Sequence, residues 1–88
     1  MSEEDLWPVE PSEAVVDALA DPVLPVELFS KVFALTVAIA EDPWLKDSSV
    51  AVQGGHWRTV PIPDGGGIVE YLIIEAEHRV ILTRIFPF

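Results

Sequence analysis

The 88-residue chain contains no cysteine, which excludes disulfides, thiolate metal ligands and a thiol nucleophile. Basic residues are also scarce: five Lys and Arg stand against fifteen Asp and Glu, for a formal net charge of −10. Nucleic acids are gripped mainly by Lys and Arg that neutralise phosphates, so generic binding of RNA or DNA is disfavoured. The acidity reads first as a surface that resists self-association; the sharper reading is a specific basic partner or mimicry of nucleic acid. No apolar run approaches the ~20 residues needed to span a bilayer, and the opening MSEEDLWPVEP carries acids where a secretory signal carries bases. The expectation is a cytoplasmic protein with no membrane association. His56 and His78 have no ligand spacing with each other or with acidic neighbours, so no metal is expected. The triple glycine at 65–67 has no following Lys-Ser/Thr and opens a strand, which makes it a hairpin loop needing positive φ instead of a phosphate cradle. No Gly-x-Ser-x-Gly elbow surrounds a serine, Glu75 and Glu77 read as solvating charges beside a turn, and no cofactor is implied.

Half of the residues are hydrophobic. This composition and length predict one domain over residues 1–88, frayed at 1–5, burying roughly 60–65% of the surface of its unfolded chain. Leu6 to Val9 reads as a short edge strand interrupted by Pro8. Pro11, Ser12 and Glu13 open a first helix with Ser12 as cap and Val15, Val16 and Leu19 as its apolar stripe; it should stop by Asp21, before Pro22. Pro25 suits the first turn of a second helix that runs to about Glu41 and is ended by Pro43.

That second helix, VELFSKVFALTVAIAE, is apolar around most of its circumference. Leu28, Val32, Leu35 and Ile39 form one face at helical spacing, and Phe29, Phe33, Val37 and Ala40 form another. Only Glu27, Ser30 and Lys31 make a wet strip. One sheet cannot cover both faces, so the first helix is expected to cover the second. The alternative makes Phe29, Phe33 and Val37 a partner-binding surface for another protein or a second copy of the chain.

Trp44 reads as a core lid after the second helix, and residues 49–52 as the start of a strand before the Gly54-Gly55 turn. WRTVPI (57–62), IVEYLIIEA (68–76) and RVILTRIF (79–86) are strands, the last two joined by a tight turn at Glu77 and His78. Strict alternation puts His56, Arg58 and Val60 on one face of their strand. It also groups Val80, Leu82, Arg84 and Phe86 against Ile81, Thr83 and Ile85.

The order of these segments resembles the RelE/ParE family of toxin–antitoxin toxins. The resemblance is carried by WPVEPSEAVVDAL (7–19), VELFSKVFALTVAIAEDP (26–43), GGHWRTVPI (54–62) and VEYLIIEAEHRVILTRI (69–85). It implies an α+β fold with two N-terminal helices packed on one side of a curved antiparallel sheet of three to four strands. RelE-like members cleave messenger RNA on the ribosome, ParE-like members inhibit DNA gyrase, and both are neutralised by an antitoxin segment wrapped over the fold. Arg58 falls where ribonuclease members have a basic residue and Arg84 where another is often found; with His56 as a helper they are the candidate catalytic residues. Departures accompany the match. Ile68 stands where the family has an arginine, Val60 where a lysine is common, and no C-terminal Tyr or basic tail precedes the end at Phe88. Stabilising an in-line phosphate transition state with so few cations is difficult. The expectation is therefore a divergent member that acts by binding a protein partner such as an antitoxin. If it is an enzyme it is an mRNA endoribonuclease, and the noncatalytic reading is the stronger. The alternatives are an acidic interaction or immunity-type protein and a homodimeric structural module.

Overall fold

The computed structural model describes residues 6–45, 50–52 and 56–87. In chain order they form β1 (Val9–Pro11), α1 (Glu13–Ala20), α2 (Val26–Glu41), β2 (Val50–Val52), β3 (Trp57–Ile62), β4 (Gly67–Ile74) and β5 (Arg79–Pro87). The fold is α+β, with two helices and a five-stranded sheet in the order β1-β5-β4-β3-β2.

The helix boundaries follow from the residues that cap them. Ser12 Oγ accepts from the Val15 amide at 3.3 Å and donates to the Thr83 carbonyl at 3.0 Å, so the residue that starts α1 also fastens it to β5. α1 stops at Ala20, before Asp21 and Pro22. Pro25 is the N-cap of α2, one residue earlier than the expected place in its first turn, and Asp42 is the C-cap ahead of Pro43.

The sheet departs from the expected three to four antiparallel strands. The β2–β3, β3–β4 and β4–β5 pairs are antiparallel, but β1 runs parallel to β5, pairing Val9 with Val80 and Pro11 with Leu82. Two helices carry the chain away from β1, and its partner is the final strand, so the meander alone does not set its direction. The strand also starts at Val9 instead of Leu6. Pro8 has no N–H to donate, yet its carbonyl accepts from the Val80 amide at 2.9 Å, so a proline is accommodated at this sheet edge. Just before it, the Trp7 ring stacks on His78 with centroids 4.0 Å apart.

β4 and β5 form the expected hairpin, joined by a short 3-10 turn over Glu75–Glu77 and by His78 in left-handed geometry at φ 52°. Its alternation is interrupted once. Glu70 pairs with Arg84 while Tyr71 pairs with Leu82, which leaves Thr83 as the extra residue of a β-bulge. The bulge reverses the phase of β5: Val80 and Leu82 point into the core, but Arg84 pairs with Glu70 and Phe86 with Ile68 on the other face. The expected grouping of Val80, Leu82, Arg84 and Phe86 on one face is thereby corrected, and Ile85 turns inward to pack against the core.

The core lies between the helices and one sheet face. Val60, Ile62, Val69, Tyr71, Ile73, Val80 and Leu82 meet Val15 from α1 and Val32 and Ile39 from α2, with Leu28 and Leu35 packed at its margin. The buried α2 positions follow the predicted helical spacing. At the β3–β4 turn, Gly65 and Gly67 take the positive φ expected of the glycine run, 73° and 142°, whereas Gly66 is right-handed at φ −71° and the third left-handed position is Asp64 at 63°. A Cβ on Gly67 would collide with the Phe86 carbonyl oxygen.

Candidate functional site

The sequence singled out Arg58, Arg84 and His56, and the fold separates the two arginines. Arg58 is half-buried on β3 opposite Tyr71, in register with the helix-covered face. Arg84 is exposed on β5 opposite Glu70, on the face turned away from the helices. The Thr83 bulge causes this: without the extra residue, Arg84 would share the phase of Leu82. The third arginine of the sheet, Arg79, is already engaged, with Nη1 2.6 Å from Glu10 and Nε 2.7 Å from Glu77. The hydrogen bond to Glu10, then that to Glu77, pushes its pKa further up from an already high value.

His56 precedes β3 and is exposed. Its Nε2 lies 3.5 Å from Glu75 Oε2, and its ring meets Trp44 edge to face with centroids 5.9 Å apart. The His56 carbonyl accepts from the Ile73 amide at 2.9 Å, so the β3–β4 register is what brings residue 56 beside residue 75. Sequence reasoning missed this pair because the two residues belong to different strand ends. They line an open depression with Ile73, Ile74 and Ala76, in which no arginine takes part. Among the described residues, no group of three His, Cys, Asp or Glu could hold a metal ion.

The apolar features converge better than the charged ones. On α2, Phe29, Phe33 and Val37 are 45%, 64% and 45% exposed, and Val26 extends the same strip at 80%. The expectation that α1 covers this face is overturned. α1 has only eight residues and packs chiefly on β5, so both helices lie on the sheet and neither screens the outer side of the other.

The second apolar surface is the outer face of the sheet. Cross-strand register aligns Trp57, Leu72 and Ile81 in one row and Pro61, Ile68 and Phe86 in another, with Thr59, Glu70 and Arg84 between them. Trp57 and Phe86 are 39% and 41% exposed, and the helices occupy the opposite face.

No family profile, curated protein or solved structure matches the chain. No helix among the described residues is long and apolar enough to cross a membrane.

Proposed function

We propose that the chain is a divergent RelE/ParE-like toxin-type protein of a toxin–antitoxin system, acting in the cytoplasm by binding a protein partner and without ribonuclease activity of its own. The observation that carries this reading is the uncovered Phe29–Phe33–Val37 strip on α2. Large apolar side chains aligned on one exposed helix face are the usual signature of a protein contact. The element order, a strand and two helices before the antiparallel strands with both helices on one side, supports the family half of the proposal. The noncatalytic half is supported by the dispersal of the cations, because Arg58 and Arg84 take opposite faces and Arg79 is held by two carboxylates.

Expression of the chain alone should arrest bacterial growth, and co-expression of the protein encoded by the adjacent open reading frame should relieve the arrest and co-purify with the chain. Normal growth together with no co-purifying protein would refute the proposal.

A homodimer is the second reading, and a different surface favours it. Glu70 and Arg84 sit side by side in the middle of the outer sheet face. Across a two-fold axis each could meet its opposite in the other copy, flanked by the two apolar rows. A molar mass of twice the chain for the isolated protein, lost on Arg84→Glu and regained with Glu70→Arg, is the expected result for that arrangement.

A further inference from the structure

We infer that the outer strip of α2 is a docking site for a cationic amphipathic helix of a partner protein. The inference rests on the partner-binding reading above and adds the surface and the chemistry of the partner. Phe29, Phe33 and Val37 recur every fourth residue and so line one side of a helix that is about 24 Å long at 1.5 Å per residue. Such a strip accepts a second helix presenting apolar anchors at matching spacing.

The surrounding charge selects the sign of that helix. On the two helices and their caps, the described acidic residues are Glu13, Asp17, Asp21, Glu27, Glu41 and Asp42, and all six are exposed. The basic residue there is Lys31, whose Nζ lies 3.1 Å from Asp64 in the β3–β4 turn. The helices that carry the apolar strip are therefore predominantly acidic, six carboxylates against Lys31, which favours a cationic helix over an acidic one, a nucleic acid or an anionic lipid surface.

A second copy of the chain fits this surface poorly. Glu27 and Glu41 stand at the two ends of α2, so an antiparallel pairing of two such helices about their midpoint sets Glu27 of each copy against Glu41 of the other. A parallel pairing sets like residue against like. Both arrangements place carboxylates together at the rim of an apolar contact, whereas Lys or Arg at both ends of a partner helix would pair with them.

The experiment titrates the isotope-labelled protein with a synthetic Leu–Lys amphipathic helix of about 18 residues. A Leu–Glu helix of the same pattern and a scrambled Leu–Lys peptide without an apolar face serve as comparisons. The Leu–Lys helix should shift amide signals along residues 26–41, while the Leu–Glu helix leaves them unmoved. Phe33→Ser should weaken binding at least about tenfold, and so should Glu27→Lys combined with Glu41→Lys. The charge-reversed variant keeps the measurement decisive if Phe33→Ser does not fold. Equal binding of the scrambled or acidic peptide, shifts confined to the outer sheet face, or affinity indifferent to all of these substitutions would overturn the inference. That failure would leave co-purification of a partner intact, because co-purification reads contact through any surface.

Discussion

The Tyr71 hydroxyl donates to the Pro43 carbonyl at 2.7 Å, a buried bond across 28 residues that ties the chain leaving α2 to the centre of β4. Tyr71 itself is fully buried, so its ring fills the core while its hydroxyl satisfies a carbonyl that water cannot reach. Tyr71→Phe keeps the ring and leaves that carbonyl without this donor. The variant should lose about 1–2 kcal/mol of unfolding free energy, read as a lower urea midpoint at unchanged slope.

Val32 and Phe33 are adjacent in sequence and opposite in environment, at 2% and 64% exposed. Phe33→Asp should change the stability of the isolated chain by no more than ~0.5 kcal/mol, since its charge stays in water. Val32→Asp puts an unpaired carboxylate against the sheet and should cost at least ~3 kcal/mol. Chemical denaturation of both variants checks the contrast, and equal losses would mean that the outer face of α2 is covered in the isolated chain.

The glycines of the β3–β4 turn should respond very differently to substitution. Gly67 combines φ 142° with a backbone neighbour on the side where a Cβ would stand, so Gly67→Ala should destabilise by at least ~2 kcal/mol. Gly65, at φ 73°, has open space around it, and Gly65→Asn should remain within ~0.5 kcal/mol because asparagine tolerates left-handed geometry. Thermal unfolding of the two variants would test the contrast.

With Arg58 and Arg84 on opposite faces of a chain of net charge −10, contact with RNA should be weak and lost at physiological salt. No cleavage of free RNA should be detected, and none of messenger RNA in a translation extract. Site-specific cleavage in such an extract that disappears on Arg58→Ala would reverse this conclusion and make Arg58 a phosphate-stabilising residue.

What could be read from the residues follows how local each signal is. Ser12, Pro22 and Pro43 mark helix ends through their own backbone chemistry, and the 68–86 hairpin is written in a period of two. Leu28, Val32, Leu35 and Ile39 show the buried side of α2 for the same reason. The Thr83 bulge has no such mark, because an unpaired residue is a property of two strands in register. Reading β5 as uninterrupted therefore put Arg84 on the wrong face. The parallel pairing of β1 was equally hidden, since its partner lies at the other end of the chain. For the candidate site, the apolar outer face of α2 was legible, but its exposure was not, because only the packing of α1 decides whether anything lies over it.

The pairing of β1 with β5 also has a kinetic meaning. Ser12 and Thr83, bonded where α1 meets β5, are separated by 71 residues, whereas the β4–β5 hairpin closes across a single short turn. Bringing such distant segments together costs chain entropy that no local contact offsets, so β1 should dock after the β3–β4–β5 meander has formed and should be among the first strands to detach. Detachment would bare the edge of β5 while the meander stays intact, making that edge a transient acceptor for an extended segment of another chain.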